Sequence, residues 1–319
     1  MPNLMLTNYC NCHCSYCFGV DMMAPAKPAV QMSRETFNDI LAWLDKVPFD
    51  RVMHLMGGEP TLHPDIEKIV EELLDRDLHV TIFSNMASDQ APVLAEKFAG
   101  LPVKWVANVN HPSRWTPQQE ANIRRALKAG GRAVSLSVNI LPELADDSWV
   151  IDLIREYDLD RNIKVGFVLP TLNSSNQALE DDQYRVVADR LVDLVKAGEE
   201  IGLSAGYECG VPYCVFTDEQ TGYLWRHKSY INSGCMSRLD ITPEGNLIYC
   251  LPLATAYHPH FSEFETYPEA RDWFERKYAP YRKLCSKVEC AECMLNNPVK
   301  CNGGCMAKNM QGAHNVKFD

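Results

Sequence analysis

Apolar positions over the first two hundred residues recur in two alternating rhythms. Short apolar or period-two runs at 4–7, 52–56, 79–83, 103–109, 133–140 and 164–169 predict strands. Between them the spacing changes to that of helices. Phe37, Ile40, Leu41 and Leu44 fall at i, i+3, i+4 and i+7, as do Ile66, Ile69, Val70, Leu73 and Leu74. Tyr184, Val187, Ala188, Leu191 and Val195 mark a last long helix. Thr116-Pro117-Gln118-Gln119 reads as a capping box with proline at the first helical position, and Gly130 as the stop. Repeated strand–helix units with short connections predict an α/β fold with a parallel sheet wound in one hand. Six such units are too few for a closed eight-stranded barrel, so the expected architecture is a partial (β/α)6 barrel.

Period two in the fifth run sets Ser135, Ser137 and Asn139 on one face. Helices cover the outside of such a barrel, so this polar face is expected to line the lumen, together with Asn108 and Asn110 of the preceding strand. After about residue 205 the alternation stops. The tail is rich in aromatics, turns and cysteine, which predicts a barrel over 1–205 and a smaller Cys-rich unit over 206–319, packed directly on it.

At 319 residues and 46% hydrophobic, the chain can fill one large core plus an annex. The formal charge of −11, with no basic run or face, argues against nucleic acid or an anionic membrane as partner. No apolar stretch is long enough to span a bilayer and no leader precedes Cys10, so a cytoplasmic location is expected. Thirteen cysteines, an odd number, in a reducing compartment point to metal more than to disulfides.

Three of these cysteines follow the first strand, Cys10, Cys14 and Cys17, spaced C-x3-C-x2-C. Three thiolates on one loop can hold three irons of a four-iron cube and leave the fourth open for chemistry. Cys12 lies between two of them, on a loop too tight for all four to converge. Gly57-Gly58-Glu59-Pro60 closes the second strand, where paired glycines let the backbone approach a ligand. Loops at the carboxyl ends of parallel strands build the site of a barrel, so both segments are expected on one rim. The alternative for the thiols is a structural zinc site.

The triplet Cys10-x3-Cys14-x2-Cys17, flanked by Tyr16 and Phe18, and followed by Gly57-Gly58-Glu59-Pro60, resembles the radical S-adenosylmethionine (radical SAM) enzymes. The resemblance implies a [4Fe–4S] cluster on the three cysteines, with S-adenosylmethionine on the open iron. It also implies an electron donor such as flavodoxin or ferredoxin. Gly57, Gly58, Glu59 and Pro60 would bond the methionine amino group, and Ser84 and Asn85 would reach the ribose. Phe18 joins them as a cofactor-side aromatic, and Ser137 and Asn139 by their strand facing. A reduced cluster would then cleave the sulfonium to a 5′-deoxyadenosyl radical that removes a hydrogen atom from a C–H bond.

Nine further cysteines lie in the tail. The order Cys235, Gly245-x4-Cys250, Cys285, Cys290-x2-Cys293, Cys301, Cys305 resembles the SPASM and twitch extensions, which hold auxiliary [4Fe–4S] clusters. Two departures are the seven-residue gap after Cys293 and the lack of a cysteine after Cys305. Carried over, Cys235, Cys250 and Cys305 share one cube with Cys214. Cys290, Cys293 and Cys301 hold another, with Cys285 for the missing ligand. Structural zinc on Cys290, Cys293, Cys301 and Cys305 is the alternative. Cys209 is left as a plain buried thiol or a hydrogen-atom or proton donor near the substrate.

The leading expectation is radical modification of a peptide or protein side chain. With the first cysteine at residue 10, a separate peptide-recognition protein would be needed. The second is oxidation, dehydration or rearrangement of a small molecule such as a sugar or amino acid. The third is a non-enzymatic iron–sulfur or zinc protein.

Overall fold

The computed structural model describes residues 2–24, 27–144, 146–207, 210–231, 233–235, 238–284, 287–296 and 300–311. Cys209 and Cys285 lie outside the described residues. The chain alternates β1 (Asn3–Met5), α1 (Arg34–Leu44), β2 (Val52–Met56), α2 (Ile66–Asp75), β3 (His79–Ser84) and α3 (Gln90–Lys97). It continues through β4 (Val103–Asn108), α4 (Pro117–Gly130), β5 (Val134–Asn139), α5 (Ser148–Tyr157), β6 (Asn162–Gly166) and α6 (Gln183–Ala197). Then come β7 (Ser204–Tyr207), α7 (Asp218–Arg226), β8 (Tyr230–Ile231), β9 (Asp240–Ile241), β10 (Leu247–Ile248), α8 (Tyr267–Tyr278) and α9 (Met306–Gln311).

The strands form one sheet in the order β10-β9-β1-β2-β3-β4-β5-β6-β7-β8. Every neighbouring pair is parallel except β9 with β10. This is the expected partial parallel barrel, and the tail adds to it at both edges. β8 extends β7, while β9 pairs with β1 through Asn3↔Asp240 and Leu4↔Ile241. No sequence rhythm announced those strands, because each is only two residues long.

Burial alternates along the strands as a helix-covered barrel demands. Val134, Leu136 and Val138 are buried against helices, while Ser135, Ser137 and Asn139 face the half-open interior. Burying each such aliphatic side chain contributes about 1.5–3 kcal/mol. α1 buries Phe37, Ile40, Leu41 and Leu44, and its N-cap Ser33 accepts the Thr36 amide. The capping box of α4 forms as the sequence predicts, and Gly131 at φ 46° ends it. The apolar run 164–169 leaves the sheet early: β6 stops at Gly166, where a Cβ would meet the Asn139 amide. Phe167 instead packs against Tyr184, Tyr207 and Phe216.

The tail is fastened to the barrel's helical layer. Trp43 of α1 donates its indole N–H to the Phe264 carbonyl at 2.9 Å and meets Tyr267 edge-on. Among the described residues no helix is long and apolar enough to cross a membrane.

Candidate metal and cofactor site

The loop after β1 and the turn after β2 are zipped together by backbone. Leu6 N donates to Met56 O, Gly58 N to Thr7 O and Glu59 N to Tyr9 O, each at 2.8 Å. A Cβ on Gly57 would stand 2.3 Å from Thr7 O, and one on Gly58 2.3 Å from Tyr9 O. Gly57 also holds φ 154°. Two glycines are thus required by the close approach of the cysteine loop itself. Since the Gly58 and Glu59 amides are spent on that loop, the turn offers a ligand its carbonyl oxygens, which suit an ammonium.

Glu59 is fully buried and holds the next strand end. Its carboxylate accepts from Thr61 N (3.1 Å), Thr61 Oγ1 (2.6 Å), Ser84 Oγ (2.8 Å) and Asn85 N (2.7 Å). Burial raises its pKa, and these donors pull it partly back. Ser84 is correspondingly buried, its hydroxyl given to Glu59 while accepting Met86 N. Ser84 thereby braces Glu59 from within the core. Asn85, one residue on, points to the cysteine loop: its amide donates to Asn11 Oδ1 at 2.8 Å and to Cys10 Sγ at 3.7 Å.

All three loop thiols are half-buried. The Cys12 amide donates to Cys10 Sγ at 3.4 Å, and the Asn110 amide to Cys14 Sγ at 3.5 Å. A turn closes from Cys17 N to Cys14 O at 3.1 Å. Burial pushes the Cys17 thiol up to about 11, with the charges of Cys14 and Cys10 adding to it. The Cys10 thiol is raised by its bond to the Cys12 thiol and by burial. Thiols that oppose one another's ionisation, each fed by N–H donors, suit bound cationic iron, which stabilises the thiolates. Cys12 itself turns toward the Gln119 amide of α4 at 3.9 Å. Among the described residues no three His, Cys, Asp or Glu side chains close on a single metal ion.

Below the loop, the Tyr16 hydroxyl donates to Asn110 Oδ1, and its backbone carbonyl accepts from Asn176 at 3.2 Å. Gln177 N adds a bond to Ser15 O at 2.9 Å, so the 170–179 segment braces the cysteine loop from the far side of the barrel. Asn108, Ser137 and Lys164 share one row across three strands. Phe18 is 45% exposed on the rim. Asn176 was not visible as a site residue in the sequence, because nothing in its neighbourhood marks a contact spanning 160 positions.

In the tail, burial pushes the Cys235 thiol up to about 11, with Cys305 next to contribute, and Tyr278 lies in the field of Cys250. Cys301 bridges Ser233 and Asn296, and Asn296 donates to Cys290 O at 2.8 Å. A further turn joins Cys293 N to Cys290 O at 3.3 Å. Burial raises the Cys214 thiol, and the charges of Cys301 and Cys290 add to it. The neighbouring Tyr213 hydroxyl donates to Ile231 O at 3.1 Å, two residues before Ser233.

A partial parallel barrel with a three-cysteine loop and a glycine turn on its carboxyl rim is the architecture expected of an iron–sulfur radical enzyme. Residues 4–166 match the Radical SAM superfamily, and the chain belongs to it. It is accordingly a radical SAM enzyme, working with a [4Fe–4S] cluster and S-adenosylmethionine. Among curated relatives, a GTP 3',8-cyclase of Sulfurovum sp. (strain NBC37-1) is 26% identical over 270 residues, 77% of each chain. A GTP 3',8-cyclase of Ectopseudomonas mendocina (strain ymp) is 23% identical over 268 residues, 78% of each. Among solved structures, Streptococcus suis SuiB bound to its precursor peptide SuiA superposes with TM-score 0.65 at 15% identity, over 95% of this chain and 71% of that one. SuiB bound to S-adenosylmethionine gives the same TM-score over 72% of its length.

Proposed function

We propose that this radical SAM enzyme modifies a side chain of a peptide or protein. The observation that carries the proposal is the fold shared over 95% of the chain with SuiB, a protein seen holding a precursor peptide, together with a cysteine-rich tail built into the same sheet. Cys10, Cys14 and Cys17 would hold the cluster, and the Gly57–Glu59 carbonyls the ammonium of S-adenosylmethionine. Asn85, Ser137 and Asn139 face the space its ribose would enter, with Phe18 at the rim. When bound, the pair supplies one-electron chemistry able to take a hydrogen atom from an unactivated C–H bond.

What the chain's own residues contribute is position and shielding. The Gly57–Thr7 zip fixes the cysteine loop against β2. Asn85 and Asn110 donate to thiol sulfurs, and Asn176 with Gln177 holds the loop from across the lumen. In the tail, Cys235, Cys250 and Cys305 form one candidate auxiliary set and Cys214, Cys290, Cys293 and Cys301 another. The tail thiols would carry an electron away from the substrate or bind it directly.

A second reading, radical chemistry on a nucleotide or other small molecule, is favoured by the relatives named GTP 3',8-cyclase. The test is anaerobic reconstitution with iron and sulfide, followed by reductant, S-adenosylmethionine and either GTP or peptides encoded beside the gene. A peptide mass change coupled to 5′-deoxyadenosine supports the proposal. Turnover of GTP alone gives the second reading the lead.

A further inference from the structure

We infer that the 170–179 segment couples the tail's cysteines to the S-adenosylmethionine site, with Gln311 as the positioning residue that joins them. The inference rests on the tail thiols holding iron, and goes beyond that reading by assigning the element between the two centres.

After β6 the chain leaves the sheet, and Pro170, which has no N–H, begins a run rich in Thr, Ser and Asn. Such side chains fold a backbone onto itself. Asn176 does so twice: its Oδ1 accepts from Thr171 N and its Nδ2 donates to Leu169 O, each at 2.9 Å. Thr171, fully buried, accepts Ser175 N on its hydroxyl at 2.9 Å, and Leu179 N returns to Val168 O at 2.9 Å. The loop is closed at its neck and bonded within, so it shifts as one piece.

Three parts of the molecule are tied to that piece. First, Gln177 N donates to Ser15 O at 2.9 Å and the Asn176 amide to Tyr16 O at 3.2 Å, both between Cys14 and Cys17. The Tyr16 hydroxyl in turn holds Asn110, whose amide donates to Cys14 Sγ at 3.5 Å. Second, Leu172 N donates to Pro252 O at 2.8 Å, just past Cys250. Third, the Gln311 amide donates to Thr171 O, and to Ser174 Oγ at 3.1 Å. Gln311 ends α9, which starts directly after Cys305 and is pinned through Asn309 to Leu284 O at 2.6 Å. Iron held by Cys250 and Cys305 would fix Pro252 and α9. These fix the loop, and the loop fixes the backbone that carries Cys14 and Cys17.

The test uses the anaerobically reconstituted holoenzyme, with S-adenosylmethionine binding read by equilibrium dialysis and iron by assay. Gln311→Ala and Gln311→Glu should each weaken binding about five- to tenfold at unchanged iron content, the size of a modest coupling between sites. Gln311→Lys keeps a donor for Thr171 O and should bind like wild type. Cys305→Ser, which loses its tail cube, should weaken binding likewise, and adding Gln311→Ala to it should weaken binding no further. Wild-type affinity in the Ala and Glu variants overturns the inference, because a residue that only anchors the terminus would lower Tm alone. Additive losses for Cys305→Ser and Gln311→Ala overturn it too. A wild-type count of one cube, about four irons per chain, sinks the tail-iron reading and the coupling with it. Two or three cubes with an indifferent Gln311→Ala sink the coupling alone.

Discussion

Gly57 lies so near Thr7 that a methyl group there would stand 2.3 Å from the Thr7 carbonyl oxygen. The cysteine loop and the glycine turn are therefore one backbone unit rather than two neighbours on a rim. Gly57→Ala should force them apart. The positive φ and the clash together cost about 1–3 kcal/mol or more, roughly a 1–5 °C fall in Tm for a chain this long. Iron loading is expected to fall further than secondary structure, as iron assay and circular dichroism would measure. A variant that loads iron fully refutes the coupling.

Glu59→Gln removes an acceptor where four donor bonds converge. One amide N–H then faces the Asn85 N–H, at a cost of about 1–3 kcal/mol. Differential scanning calorimetry should register the loss, and S-adenosylmethionine binding should weaken with it. Ser84→Ala should do the same more mildly.

Asp240 gives a pH signature with a definite sign. Its folded pKa, about 7, lies above the ordinary carboxylate value, so the folded state holds a proton that the unfolded chain has lost. Stability from this group is complete at pH below about 4 and is lost as pH rises through about 7, at about 1.4 kcal/mol per pH unit in the window. Denaturant melts of wild type and Asp240→Asn should diverge across that window and run parallel above it. Parallel curves throughout would mean Asp240 is ionised in the folded protein.

Cys214 and the tail thiols invite an iron count. If Cys214 completes the set of Cys290, Cys293 and Cys301, then Cys214→Ser and Cys290→Ser should each lose one cube, about four irons per chain. The double variant should lose no more. Cys235→Ser should subtract from a different cluster, so that combining it with Cys290→Ser adds the losses. Additive losses for Cys214 and Cys290 would return Cys214 to the Cys235 set.

Cys14→Ala should leave the barrel folded, since its core is independent of the loop, yet abolish cleavage of S-adenosylmethionine. Cys12→Ser, whose thiol turns to Gln119, should keep most of it. Normal cleavage by the Cys14 variant would remove that triplet from the site.

The barrel was legible because its strands and helices repeat with clear periods. Ser135, Ser137 and Asn139 betrayed the lumen by alternation alone. What stayed hidden was whatever depends on distance in sequence or on very short elements. Asn3 and Asp240 meet across 237 positions, and β9 has two residues, so neither periodicity nor spacing marks them. Ser84 shows a different limit. Its place at a strand end suggests ligand contact, while strand parity sets it with Val80 and Ile82, opposite to Thr81 and Phe83, and its hydroxyl is given to Glu59. The order of cysteines along the tail, likewise, does not determine which thiols meet.

The pairing of β9 with β1 also has a consequence for biogenesis. A ribosome that has released the cysteine loop must still make more than two hundred residues before that strand gains its second neighbour. Until then β1 is an open edge beside the cysteine loop, and a chain stopped short of β9 would expose that edge to non-native pairing.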